Sequence, residues 1–181
     1  MSTTNSEVVR VAVIGVGGMG QAHCKSMQHV DEVELTAVCD IDRETAEKVG
    51  KEYGVPFFFH YKDLIRAELC DAVLLVTPHP PRPPIAVDCV KAGLHLLSEK
   101  PLSERVSTAD KIIHAAKQAG VAFAVDFQRR TEPAFAKALE LVKNGELGRI
   151  YRRTLISPEY RSQAYYDSGG WRATWQGEGG G

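Results

Sequence analysis

The segment Gly15-Val16-Gly17-Gly18-Met19-Gly20 follows directly on the apolar run Val11-Ala12-Val13-Ile14. It fits G-x-G-x-x-G, and each fixed glycine answers a different steric demand. Gly15 permits a tight turn out of a strand, Gly17 lets the backbone approach a pyrophosphate, and Gly20 lets the next helix pack closely on a sheet. The N-terminus of that helix offers free N–H groups and the positive end of its dipole to phosphates. A second largely apolar run, Val33-Glu34-Leu35-Thr36-Ala37-Val38-Cys39, ends in Asp40, about twenty residues past Gly20, where a carboxylate accepts hydrogen bonds from an adenosine ribose. Strand, loop, helix, strand and acid together specify a dinucleotide site.

The rest of the chain is consistent with that start. Strands are expected at 8–14, at 33–39 and in the short run Phe57-Phe58-Phe59, then at 71–77, 95–98 and 121–127. The run Ala72-Val73-Leu74-Leu75-Val76 is apolar throughout, as a parallel strand covered on both faces should be. Helices are expected at about 19–30, from a cap at Asp42 through Tyr53 to a stop at Gly54, from Pro83 or Pro84 to Ala92, and at about 107–119 before Gly120. Such alternation gives a doubly wound parallel α/β sheet, the Rossmann architecture, over residues 8–128. Beyond it, residues 129–181 read as the start of an incomplete α+β second domain. It opens with a helix at 132–144 whose Phe135, Ala138, Leu139 and Val142 share one face. A strand is expected at 150–157, and the stretch 169–181 does not read as a finished element.

Composition narrows the function classes. Of 181 residues, 44% are hydrophobic and 25% charged, the profile of a soluble globular protein. A net charge of -1 gives no electrostatic reason to expect nucleic acid or an anionic membrane as partner. No apolar run approaches the ~20 residues needed to span a bilayer, and residues 1–7 lack the regions of a signal peptide. Cys24, Cys39, Cys70 and Cys89 form no C-x-x-C pair, and buried free thiols are expected rather than a metal site or disulfides. A cytoplasmic protein is the plain expectation.

In open α/β sheets ligands bind outside the carboxyl ends of the strands. That rule selects the glycine loop, Asp40, Thr77-Pro78-His79, Glu99-Lys100-Pro101 and the stretch 126–130, which includes Gln128. An ammonium at Lys100 suits holding a substrate hydroxyl oxygen as hydride departs, or serving in proton transfer. The alternative, a solvated lysine paired with Glu99, stays open. Asp40 as a ribose ligand favours NAD, with a share in a helix cap beside Asp42 as the competing reading. Arg43 nearby keeps NADP open. His79 is read either as a ligand contact or as an exposed loop residue, and His95 as structural. His23, His29, His60 and His114 have no partners at metal-ligand spacing, so no metal is expected. Arg129 and Arg130 read as a solvated basic pair, an anionic substrate being the alternative.

With these residues assembled, the chain resembles the Gfo/Idh/MocA oxidoreductases. The resemblance covers nearly all of 8–181 and rests on the glycine loop, Cys39-Asp40, Thr77-Pro78, Ala92-Gly93-Leu94-His95, Glu99-Lys100-Pro101, Gly145-Glu146-Leu147-Gly148-Arg149 and Trp171-Arg172. It implies NAD(P)-linked oxidation of a sugar or polyol hydroxyl, with Lys100 as the catalytic residue. It also implies that Gly15, Val16, Gly17, Gly18, Met19, Gly20, Asp40, Arg43, Thr77, Pro78, His79, Glu99, Lys100, Gln128, Trp171 and Arg172 line the cofactor. The family often carries Asn and His where this chain has His79 and Arg82, and glycine where it has Asp126. Members continue past a glycine cluster like Gly179-Gly180-Gly181 into a segment bearing an Asp and a His that complete the active site. A large sheet follows that shapes the substrate pocket and commonly the subunit interface. The chain is therefore expected to be the N-terminal portion of such an enzyme, weakly active alone, with a homo-oligomer only where that sheet is present. A non-enzymatic NAD-binding module and an NAD-dependent glycoside hydrolase are the other functions open to it.

Overall fold

In the computed structural model, which describes residues 8–178, six strands form one all-parallel sheet in the order β3-β2-β1-β4-β5-β6. They are β1 (Val9–Ile14), β2 (Val33–Cys39), β3 (Phe57–Phe58), β4 (Ala72–Leu75), β5 (His95–Glu99) and β6 (Phe123–Asp126). The helices between them are α1 (Gly18–Met27), α2 (Arg43–Tyr53), α3 (Tyr61–Arg66), α4 (Arg82–Lys91) and α5 (Val106–Ala119). This is the Rossmann order, and it reverses direction between β1 and β4, where a crevice opens at the strand ends.

Local sequence explains most boundaries. Asp42 caps α2, its Oδ1 accepting from the Thr45 N–H at 2.8 Å, and Gly54 follows as the C-cap. Pro83 falls in the first turn of α4, where its missing N–H costs nothing. The helix α3 has no counterpart among the sequence expectations. It is only six residues long, too short to show a period, and its cap is the ring of His60, whose Nδ1 accepts from the Lys62 N–H at 3.2 Å. Helix α1 stops at Met27 rather than Val30.

Two apolar cores lie on opposite faces of the sheet. Ala12, Ile14, Val73 and Leu75 pack with Leu64, Ile85, Cys89, Val90 and Ile112 on one side. Val11, Val13 and Leu74 pack with Cys24, Val38 and Val49 on the other. A bulge changes which residues of β2 face each core. Val11 pairs with Leu35 but Ala12 pairs with Ala37, so Thr36 is the extra residue. The parity flips there, sending Leu35 to one core and Ala37 and Cys39 to the other. All four cysteines are buried free thiols. Burial pushes the Cys39 and Cys89 thiols up to about 12, which keeps them protonated and inert.

Past β6 come a 3-10 turn (Gln128–Thr131), α6 (Pro133–Lys143), α7 (Gln163–Asp167) and α8 (Trp175–Glu178). The apolar face of α6 exists as expected, but Phe135, Leu139 and Val142 on it are exposed. The strand expected at 150–157 does not form. Those residues have no regular structure and no strand partner among the described residues, and an unpaired strand leaves its ladder groups without bonds. The cluster Gly179-Gly180-Gly181 lies outside the described residues. No described helix is long and apolar enough to cross a membrane.

Candidate active site

The glycine loop leaves β1 at the crevice. A Cβ on Gly20 would lie 2.0 Å from the Gly15 carbonyl oxygen, and one on Gly15 would lie 2.9 Å from the Thr77 nitrogen. These two glycines therefore let α1 sit on the loop and the loop sit on the end of β4. Around Gly17 and Gly18 nothing lies within 4 Å of the same hypothetical atom, so the outer side of the loop is open. The N–H groups of Gly18, Met19 and Gly20, in the first turn of α1, have no backbone acceptor among the described residues. An open cradle rimmed by unpaired N–H donors fits a pyrophosphate.

Asp40 stands at the end of β2 and turns its carboxylate back onto this loop. Its Oδ2 accepts from the Val16 N–H at 2.9 Å and its Oδ1 from the Asp42 N–H at 3.0 Å. A carboxylate has about four acceptor positions, so lone pairs remain for ribose hydroxyls. The helix cap itself is made by Asp42. Arg43 lies beside it in the first turn of α2, exposed, its guanidinium 4.5 Å from the centre of the Phe59 ring.

At the ends of β4 and β5 the sequence positions Thr77, Pro78, His79, Glu99 and Lys100 come together around a residue whose role had no local signal, Arg82. It is 3% exposed, and its guanidinium donates from Nη1 to the carbonyls of Glu99 (2.7 Å) and Pro101 and from Nη2 to the carbonyl of Thr77. Burial lowers its pKa to about 10, so it stays charged at neutral pH. Leaving a buried carbonyl unpaired costs about 1–3 kcal/mol. Arg82 bonds three, of which that of Glu99 also accepts from Ser98 Oγ at 3.1 Å. The peptide between Lys100 and Pro101 is cis.

Glu99 is buried, and its carboxylate does not pair with the Lys100 ammonium. Its Oε2 accepts from the backbone N–H of Lys100 at 3.0 Å, and its Oε1 lies 2.9 Å from His23 Nε2. His23 therefore meets carboxylates although the chain offers it no partner at metal-ligand spacing. Glu99 and Asp126 are register partners on β5 and β6, so their side chains share a face, and α1 brings His23 over them. Asp126 Oδ2 lies 3.8 Å from His23 Nε2. Spacing along the chain could not reveal three groups carried by three elements. They include a donor set that can hold a cation, and hydrogen bonding already accounts for the contact between His23 and Glu99. Lys100 is exposed and makes no side-chain ion pair among the described residues.

The segment 163–178 folds back toward this crevice. Trp171 meets His79 edge-on at 5.1 Å, so His79 is half-buried rather than an exposed loop residue. Arg172 stacks over Tyr165 at 4.3 Å and donates to its hydroxyl at 2.7 Å. Thr77 Oγ1, His79 Nδ1, Arg82 Nε and Arg172 Nε are buried without a hydrogen-bond partner among the described residues, which gathers unsatisfied polar atoms at this site. Burial lowers the His79 pKa, with Arg82 adding to the effect, so the ring is neutral at pH 7. Gln128 lies exposed in the turn after β6, and its side chain makes no hydrogen bond among the described residues. Arg129 pairs with Glu159 at 3.3 Å, and Arg130 lies over Phe127. His95 is structural, its Nδ1 accepting from the Ala122 N–H at 3.0 Å.

Sheet order, glycine cradle and acid at the end of β2 define a dinucleotide-binding domain of the Rossmann class. Residues 9–127 match the profile of the Gfo/Idh/MocA oxidoreductases, described as an oxidoreductase family with an NAD-binding Rossmann fold. The chain belongs to that family, and this region is its NAD-binding domain. It is 34% identical over 146 residues to an inositol 2-dehydrogenase of Rubrobacter xylanophilus, and 34% over 148 residues to a myo-inositol 2-dehydrogenase of Thermotoga maritima. Those alignments cover 80% and 78% of this chain but only 42% of each relative. Among solved structures, the WlbA dehydrogenase of Bordetella pertussis in complex with NADH and UDP-GlcNAcA superposes with a TM-score of 0.86 at 28% identity, over 95% of this chain and 53% of that one. A myo-inositol 2-dehydrogenase of Lactobacillus plantarum gives 0.74 at 31% identity, over 80% and 43%. The chain thus spans about half the length of the proteins it matches, or less.

Proposed function

We propose that this chain is the cofactor-holding part of an NAD-dependent dehydrogenase acting on a secondary hydroxyl of a sugar or polyol. The observation that carries the reading is the convergence of an open phosphate cradle and an exposed lysine on one crevice, at the ends of β1 and β5. The N–H groups of Gly17, Gly18, Met19 and Gly20 would hold the pyrophosphate, and Asp40 the adenosine ribose. Thr77, Pro78, His79, Glu99, Gln128, Trp171 and Arg172 would surround the nicotinamide half. NAD bound there supplies the acceptor for a hydride. In the carbonyl-reducing direction the Lys100 ammonium would hydrogen-bond the substrate oxygen and stabilise the negative charge that grows on it as the carbon receives hydride. It would also give that oxygen the proton that completes the hydroxyl, and oxidation would run the same transfers in reverse. Asp40 favours NAD over NADP, because a 2′-phosphate would meet its charge, and Arg43 moderates that preference.

The substrate class can be narrowed. The WlbA likeness extends over 95% of the chain, into the segment that carries Trp171 and Arg172, whereas the myo-inositol 2-dehydrogenase likeness covers 80%. This favours a nucleotide-linked sugar acid over a free cyclitol. Four buried unpaired thiols suit the reducing cytoplasm as the place of action.

Calorimetric titration with NADH and NADPH tests the cofactor reading. NADH should bind more tightly, and Asp40→Ala should weaken NADH by about 1.5–3 kcal/mol, the worth of a hydrogen bond to a charged acceptor. Equal affinity of the variant and the wild type would remove Asp40 from the site. With NADH present, thermal shifts by UDP-GlcNAcA but not myo-inositol support the narrower substrate class, and the reverse result overturns it.

A further inference from the structure

We propose that Arg82 is a positioning residue for Lys100, acting through the backbone of the turn that carries it. The inference rests on the reading of Lys100 as the residue that faces the nicotinamide.

Arg82 has a rigid base. It opens α4 between Pro81 and Pro83, whose rings fix the backbone on either side. From there its buried guanidinium reaches the two carbonyls that flank Lys100, those of Glu99 and Pro101, and also that of Thr77. No carboxylate forms a salt bridge with it among the described residues; Glu99 and Glu104 act on it only through space, and its direct partners are main-chain carbonyls. A buried charge with no carboxylate in direct contact is a costly way to fill space, and an apolar side chain would fill it more cheaply. What the guanidinium adds is a planar fork that bonds several acceptors in fixed directions, which a lysine ammonium does not provide.

The opposite side of the turn is held by Glu99. Its carboxylate accepts the Lys100 N–H and is itself fixed by His23. The Glu99 carbonyl, the Lys100 N–H and the Pro101 carbonyl are therefore all engaged. The backbone is pinned while the side chain projects free. The same fork joins this turn to Thr77, whose backbone nitrogen lies against Gly15. Arg82 thereby sets the distance between the phosphate cradle and the lysine. Small errors in such a distance cost large factors in reactivity.

The test uses the 181-residue chain, 15N-labelled, as wild type, Arg82→Met and Arg82→Lys. Amide hydrogen exchange is followed at Lys100 and at the core residues Val13 and Ile112, and NADH and ADP-ribose are titrated calorimetrically. Both variants should exchange the Lys100 amide faster by about tenfold or more while the core amides change far less. ADP-ribose, which lacks the nicotinamide, should keep its affinity within about twofold, and NADH should lose its advantage over it. Unchanged exchange at Lys100 in both variants overturns the proposal. So does equal acceleration at Val13 and Ile112, or failure of both variants to fold, because each assigns Arg82 to general stability. Faster exchange at Lys100 with the NADH advantage intact upholds the positioning role and instead removes Lys100 from the nicotinamide site.

Discussion

Gly17, the N-cap of α1, and Gly20, in its first turn, lie three residues apart and meet opposite surroundings, which separates fold from ligand at single-residue resolution. A methyl on Gly20 collides with backbone, and backbone cannot step aside as a side-chain tip can. Gly20→Ala should cost about 1–3 kcal/mol of stability, read as a lower urea midpoint, together with NADH affinity. A methyl on Gly17 meets nothing in the protein. Gly17→Ala should cost at most about 1 kcal/mol of stability, through the helix cap, yet still weaken NADH by filling the space kept for phosphate. His79 supplies a pH test. Burial holds its pKa below the ordinary 6.5, so above that value neither the folded nor the unfolded ring is charged. As pH falls from 6.5 toward the lowered folded value, the unfolded chain takes up a proton that the folded one refuses. Stability is fully present above 6.5 and is lost through that window. Urea midpoints at pH 7.5 and 5.5 should fall further for wild type than for His79→Asn.

At the scale of elements, the smallest helix of the sheet region is more firmly built in than the longer α6. Leu64 of α3 is 1% exposed within one of the two cores, whereas Leu139 of α6 is 53% exposed. Leu64→Ala should cost about 2–5 kcal/mol in chemical unfolding, and Leu139→Ala well under that, since only a buried side chain leaves a cavity. A similar contrast separates β3 from residues 150–157. Phe57 and Phe58 make a strand of two residues because β2 lies alongside, pairing Val38 with Phe57 and Cys39 with Phe58. Tyr151, Leu155 and Ile156 suit a strand better by composition, but they are exposed and have no neighbour to complete the ladder. A strand needs its partner before its own preferences count.

For the whole molecule, the apolar core ends early in the chain. Every buried hydrophobic side chain among the described residues lies between Val11 and Ala116. Residues 8–128 alone should therefore fold cooperatively, with a urea midpoint close to that of the full chain by circular dichroism, and should bind ADP-ribose. NADH should bind this shorter piece less well, because the contact of Trp171 with His79 is gone. A piece that does not fold would place the domain boundary elsewhere. The sequence by itself determined the glycine loop, the place of Asp40 at the end of β2, the strand–helix alternation and the caps at Asp42, Gly54 and Gly120. Each rests on a local backbone demand or on a period within one element, so neighbouring residues suffice to state it. The family, too, was legible, because its motifs are short and lie at strand ends. Only the tertiary structure decided that β1 and β4 adjoin, that Thr36 bulges, that Arg82 bonds three carbonyls and that His23 meets Glu99 and Asp126. Those contacts join residues from different elements, and their geometry comes from how the sheet twists and stacks them together.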